Sequence, residues 1–221
     1  MTSPSPTQRR GRPGGSSGTD LLDVAREVLL ARQYAGATMD AVAAQARISK
    51  QTLYRQYASK EILYAAVVRD WVDRGRDAMA PHLAELMATD DVRQGLLRLC
   101  RTLHHGVLSA PVLQMRTLIT AEAERFPDVA ADYVSRSWDH NQALLADALR
   151  HLAARGLLRV DEPEVAAEQL TWLTLAAPLN RLTLTGGAAR YPAEELEAVA
   201  REAVTTFLAR YGAGAGEDAA G

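Results

Sequence analysis

Cysteine is almost missing from this chain. Cys100 is the only one in 221 residues, so no intrachain disulfide can form and nothing points to an oxidising compartment. Aromatic residues amount to only 5%, and lysine occurs at Lys50 and Lys60 alone. β-Branched runs are few, which leaves an Ala- and Leu-rich chain that favours helix. No apolar run reaches about 18 residues and no leader segment precedes the first periodic stretch, so the expectation is a cytoplasmic protein with no membrane partner. His82, His104, His105, His140 and His151 stand at no metal-ligating spacing with cysteine or carboxylates, and there is neither a glycine-rich phosphate loop nor a nucleophile elbow. No metal, cofactor or catalytic residue is therefore expected, and an enzyme is the least favoured class. Cys100 itself falls on an apolar helical stripe, where inert burial is the simpler reading.

What is present is enough apolar material, 48% of residues, for a sizeable core. The net charge of −2 conceals an asymmetry: residues 1–60 carry nine Lys and Arg against four Asp and Glu, a net of +5, which leaves −7 for the remainder. Positive charge gathered at one end of an otherwise acidic chain is the electrostatic footprint of a nucleic-acid contact.

That end contains two short helices separated by a tight turn. Thr38 caps the first through its hydroxyl, and Asp40 suits the positive end of its dipole. Val42, Ala43 and Ala46 share one face, where small side chains admit a close neighbour. Ser49 caps the second helix, which turns Leu53 and Tyr57 inward and leaves Lys50, Gln51, Thr52 and Arg55 outward. A cation, an amide and a hydroxyl on one exposed first turn are the inventory for phosphate contacts and for base edges in a major groove.

From Leu21 to about Tyr64 the sequence resembles the TetR-type transcriptional regulators. Leu21 to Leu29 match the family's first helix, and Val42, Ala43, Ala46, Ser49, Lys50, Thr52, Leu53, Tyr54, Tyr57, Ser59, Lys60, Glu61 and Leu63 keep its spacing without a gap. The family usually has Phe where Leu29 and Tyr57 stand and Gly where Gln33 and Arg47 stand. The residue at Arg47 matters most, because such a turn often requires a positive φ. Either the turn avoids that region or Arg47 is strained there. The resemblance implies phosphate contacts from Thr38, Tyr54 and Lys60, with Ser49 and Tyr57 bounding the recognition helix and completing the DNA-binding set. Gln51 is the best candidate for adenine, and Arg55 for guanine or phosphate.

Residues 1–18 are rich in Pro, Ser, Gly and Arg without periodicity and read as a disordered basic arm. Its Arg-Gly-Arg-Pro segment, containing Arg12, resembles an AT-hook; entry into a minor groove and a merely solvated tail are both open readings. The DNA-binding domain is expected over 19–64, with its first helix over about 19–33 and Leu22, Ala25, Val28 and Leu29 on one face. A fourth helix, capped by Ser59, is expected to run to about Met79 and to stop at Pro81.

A helical C-terminal domain is expected over 65–211, followed by a flexible tail over 212–221. Its helices begin at Asp90 or Asp91, Pro111, Pro127, Glu164 and Pro192. Gly156 ends the third of these, and Pro178 is expected to kink the fourth. The segment Arg116…Glu122…Arg125-Phe126-Pro127 resembles the C-terminal domain of AefR-type regulators.

The fold class expected is thus all-α, about nine helices in two domains. The last two helices carry more apolar surface than one-sided packing needs, and the resemblance implies that they pair into a homodimer on a pseudo-palindromic double-stranded DNA operator. It also implies a pocket for a small lipophilic effector near Cys100, Leu103, His104, Met115, Ile119, Trp138, Asn141, Trp172 and Leu175. For each of these residues taken singly, core packing is the plainer role. A repressor released by such an effector is the reading that follows. The alternatives are an effector-independent DNA-binding activator or architectural dimer with a solidly packed core, and a small-molecule enzyme on a helical scaffold.

Overall fold

A computed structural model describes residues 18–214. The Arg12 arm and most of the tail lie outside the described residues. The chain divides into two compact units, residues 1–67 and 68–221, and among the described residues there is no strand, only one isolated bridge.

In the first unit α1 (Gly18–Gly36), α2 (Met39–Gln45) and α3 (Lys50–Gln56) precede α4 (Lys60–Gly75), whose C-terminal part belongs to the second unit. Leu21, Ala25, Val28, Leu29, Val42, Ala43, Leu53 and Leu63 are all at most 2% exposed and form its core. Leu21 takes the core position expected of Leu22, which is only half-buried.

The two positions where glycine was expected by resemblance are the two described non-glycine residues with positive φ, Gln33 and Arg47, both at 56°. Arg47 follows the C-cap of α2 in a Schellman arrangement: its N–H donates to Ala44 O at 3.2 Å, and that of Ile48 to Ala43 O at 3.0 Å. Glycine suits this place because it has no Cβ to meet the following carbonyl. Gln33, at ψ 168°, occupies a region that is essentially glycine-only and kinks α1 one turn before its end. Relief of this strain predicts that Gln33→Gly and Arg47→Gly will each raise the unfolding free energy by about 1 kcal/mol, read as a higher urea midpoint at constant m-value. Unchanged or lowered midpoints would show that neither backbone is strained.

The second unit begins differently from expectation. α4 ends at Gly75 rather than near Met79, and Pro81 opens a further helix, α5 (Ala80–Ala88), instead of terminating one. Proline at a first helical turn lacks only an N–H that has no intrahelical acceptor anyway. Then come α6 (Val92–Val107), α7 (Ala110–Ala121), α8 (Pro127–Tyr133), a π-helical turn (Val134–Asp139), α9 (His140–Ala154), α10 (Pro163–Leu184) and α11 (Ala193–Tyr211). α8, the π turn and α9 follow one another without interruption as a single continuous helix. It stops at Gly156, φ 74°, in a second Schellman arrangement.

Leu96, Leu99, Leu149, Leu152, Leu170, Val204 and Phe207, none above 1% exposed, make the central core of this unit. α10 runs on through Pro178, which lacks the N–H that would reach the carbonyl four residues back, Thr174 O. His104 Nε2 donates to that carbonyl at 2.9 Å, so the ring nitrogen of a neighbouring helix replaces the missing backbone donor. The tail does not fray at Gly212. That residue bridges Leu158, and Arg159 N donates to Tyr211 O at 2.7 Å. A Cβ at Gly212 would lie 2.5 Å from Leu208 O, so only glycine closes this corner. No helix among the described residues is long and apolar enough to cross a membrane.

Candidate nucleic-acid interface and interior cavity

Two hydroxyl caps build the first site. Thr38 Oγ1 accepts from Ala41 N at 3.1 Å and Ser49 Oγ from Thr52 N at 3.0 Å, which fixes the start of α2 and of α3. Leu53, fully buried, anchors α3 to the core. With that face committed, Lys50, Gln51, Tyr54 and Arg55 are exposed and Thr52 and Tyr57 half-exposed. Lys50 Nζ reaches back to Asp40 Oδ2 at 2.5 Å in an exposed pair, of the kind that contributes about 1 kcal/mol or less and exchanges readily for a phosphate.

Lys60 is placed otherwise. Its ammonium donates to Tyr34 O at 2.9 Å and to Ala37 O at 3.0 Å, and lies 4.2 Å from the centroid of the Tyr34 ring. Tyr34 O in the last turn of α1 and Ala37 O just past its end stand where a helix leaves carbonyls without intrahelical donors, and Lys60 caps them. Tyr34 is fully buried, with its hydroxyl donating to Glu61 Oε1 at 3.1 Å. The cation assigned to a phosphate is therefore a cap within its own unit.

The second site is a cavity of about 110 Å³ in the C-terminal unit. Leu103, Trp138, Asn141 and Leu175 line it, together with Met79, Val107, Arg116, Tyr133, Ser137, Gln142 and Thr171. Five of the nine residues expected there lie elsewhere. Met115 and Ile119 are buried outside the lining. Cys100 and His104 turn toward Thr174, with Cys100 Sγ 3.3 Å from its hydroxyl. Burial pushes the Cys100 thiol up to about 11, so it stays protonated and unreactive at neutral pH. Trp172 stacks on Trp138 at 5.1 Å between centroids, yet stands 42% exposed on the outer face of α10.

The lining missed by sequence reasoning has one signal in it: Tyr133, Ser137 and Asn141 recur every four residues. The π turn that they bracket was not legible. It widens the helix by a residue per turn and brings Trp138 onto the same wall.

The opposite side of that segment is clipped to α4. Arg69 meets Asp132 at 3.7 Å, Asp73 pairs with Arg136, and Asp77 lies 4.0 Å from His140. Both partners in this series advance by four residues, so one stripe of α4 and its following turn faces one stripe of α8, the π turn and α9. A separate open groove, about 790 Å³, lies beside Arg101, Arg190 and Tyr191. Its Arg101 is already committed to Glu197 by bonds of 2.8 and 2.6 Å, which hold the Glu197 carboxyl below the usual carboxylate range. Among the described residues no group of three or more His, Cys, Asp or Glu could hold a metal ion.

Comparison with known proteins bears on both sites. Residues 21–67 match the family model for bacterial regulatory proteins of the tetR family, and residues 94–213 that for the AefR-like transcriptional repressor C-terminal domain. An HTH-type transcriptional regulator of Mycobacterium bovis is 31% identical over 140 residues, 62% of this chain and 63% of its own length. A DNA-binding transcriptional repressor TetR of Mycobacteroides abscessus is 28% identical over 150 residues, 68% of this chain and 67% of that one. Less than two thirds of the first relative's length is therefore spanned. Among solved structures, a TetR-family transcriptional regulator of Mesorhizobium loti has a TM-score of 0.83 at 28% identity, covering 89% of this chain and all of that one. The flavonoid-responsive regulator FrrA has a TM-score of 0.67 at 25% identity, covering 88% and 96%.

Proposed function

Because the chain belongs to the TetR family of bacterial transcriptional regulators, we propose that it is a homodimeric repressor that binds a pseudo-palindromic operator and is released by a small effector with an apolar body. The observation that carries the DNA half is the exposed first turn of α3, held rigid by Ser49 and Leu53 and free of neighbours that would bar it from a groove. Lys50 and Arg55 meet phosphate or guanine, Gln51 reads adenine, and Thr38 and Tyr54 set register on the backbone. Two such helices related by a twofold axis would enter major grooves about 34–36 Å apart or somewhat more.

The dimer reading rests on α10. Four of the seven exposed large hydrophobics among the described residues, Val165, Trp172, Leu173 and Leu184, lie on it. Together with exposed Ala176 and Ala177 they mark a solvent-exposed apolar face in which Trp172 alone has a ring neighbour, Trp138, and a homodimer covers such a face with its own copy.

The effector half rests on the wall formed by residues 133–142. Its inner side lines the cavity and its outer side carries Arg136 and His140 toward α4. A ligand that widens the cavity moves that wall, and with it the stripe of α4 bearing Arg69 and Asp73. α4 begins at Lys60 inside the DNA-binding unit, which ends at residue 67. The individual ion pairs are partly exposed and weak; their role is to set the position of α4. The effector shifts the equilibrium only by its difference in affinity for the two positions.

The operator is obtained by selection from random DNA, and variants are then compared by fluorescence anisotropy. Gln51→Ala is expected to lose about 1–3 kcal/mol on the selected site and to relax preference at one position per half-site. Selection of non-palindromic sites, or a variant that keeps the full preference, would overturn the assignment.

A further inference from the structure

Two polar groups of the cavity lining, Asn141 and Arg116, bear on its occupant. Asn141 Nδ2 donates to Ser137 O at 2.8 Å, which fixes the amide orientation, because a flipped oxygen would face that carbonyl. Asn141 Oδ1 is then left fully buried with no hydrogen-bond partner in the protein. Leaving such an acceptor unmet costs about 1–3 kcal/mol. Arg116 of α7, half-buried in the lining, holds its guanidinium 6.0 Å from the Trp138 ring centroid. No carboxylate among the described residues forms an ion pair with it. Around them the surface is that of Trp138, Leu103, Leu145 and Leu175. Gln142 and Thr171, also in the lining, are closed on each other at 3.1 Å.

Size narrows the occupant further. An apolar cavity of roughly 150 Å³ holds one benzene, and here the volume is about 110 Å³. A single ring enters only with a small outward shift of the lining, and a fused or multi-ring ligand requires the wall to be rebuilt. The outward shift is what an effector must produce if it is to act on α4. This step therefore rests on the effector reading given above.

We propose that the cavity takes a monocyclic aromatic acid carrying a hydrogen-bond donor, the chemistry of a hydroxybenzoate. The ring meets Trp138 and the aliphatic wall. The hydroxyl donates to Asn141 Oδ1, and the carboxylate meets the planar guanidinium of Arg116, whose fork matches it in two bonds. The first contact answers a buried acceptor the protein leaves unmet, so removing the donor from the ligand leaves it desolvated, and the second gives a half-buried cation its counter-charge.

The test is calorimetric titration of the full chain with 4-hydroxybenzoate, benzoate and 4-hydroxybenzyl alcohol. The first is expected to bind roughly tenfold or more tightly than either analogue, one lacking the donor and the other the charge. Asn141→Leu should bring 4-hydroxybenzoate down to the level of benzoate while leaving benzoate itself unchanged, and Arg116→Gln should equalise the acid and the alcohol. No heat with 4-hydroxybenzoate at millimolar concentration, or equal affinities for all three ligands on the unaltered chain, overturns the proposal whether or not the variants fold. Operator release is measured in parallel. Binding with the expected ranking but no release upholds the ligand class and defeats the effector reading. Release by another compound that 4-hydroxybenzoate does not displace has the opposite meaning.

Discussion

Leu173→Glu will leave the chain folded, convert it to a monomer of about 24 kDa by light scattering at micromolar concentration, and weaken operator binding by at least about a hundredfold. Leu173 is 41% exposed on α10 and contributes nothing to the interior core, so the fold has little to lose. On a twofold interface the change is made twice. Each copy would forfeit roughly 1.5–3 kcal/mol of apolar burial and bring a carboxylate into an apolar surface. A single head then faces the DNA with the weak, salt-governed affinity of non-specific contacts. A melting temperature within a few degrees of the unaltered chain is part of the expected result, since it separates loss of pairing from loss of fold. A variant that remains a dimer, or a monomer that holds the operator as tightly, would remove α10 from the assembly.

The second large effect is at Lys60. Lys60→Met keeps the aliphatic stem and removes the ammonium that caps Tyr34 O and Ala37 O. Hydrogen bonds from a charged donor contribute about 1.5–3 kcal/mol each, and the contact with the Tyr34 ring about 0.5–1 more. These sum to about 3.5–7 kcal/mol, and because Lys60 is only half-buried, solvent screening reduces the expected loss for the N-terminal unit to on the order of 2–4 kcal/mol. A helical unit this small has little stability in reserve, so its transition should fall by on the order of 10 °C. The dependence of operator affinity on salt decides what Lys60 does. As a cap it leaves the slope of log K against log salt unchanged when measured below the transition. As a phosphate anchor it would lower the slope by about one per half-site, with little effect on melting.

Lys60 also shows where sequence reading ends. Its spacing from Ser49 and Leu53 is that of a regulator whose matching lysine contacts DNA, and spacing carries no information about which partner the ammonium meets. That choice lies with the end of another helix: the acceptors, Tyr34 O and Ala37 O, stand 26 and 23 positions from Lys60 along the chain. Arg47 is the converse. The glycine-shaped corner was readable from the turn, and the structure shows that arginine occupies it with a positive φ.

Pro81 was misread for a related reason, and Pro178 comes under the same rule. Proline's local rule is the loss of one N–H, and whether that ends a helix, opens one or passes unnoticed depends on what surrounds it. Pro81 stands in a first turn that lacks the bond anyway, and at Pro178 the imidazole of His104 supplies the donor.

The sequence by itself determined the helices other than α5 and the end of α4, the hydroxyl and carboxylate caps, the inward faces of α3 and α6, and the polar turn offered to DNA. These follow from local rules: a hydroxyl reaching an N–H three residues on, and apolar side chains recurring every three or four positions. Only the tertiary structure decided which residues enclose the cavity, that Trp172 faces outward while Asn141 keeps a buried acceptor unmet, and that a π turn sets the wall between the cavity and α4. Those outcomes depend on the packing of helices far apart in the chain, where an extra residue in a single turn rotates every side chain after it.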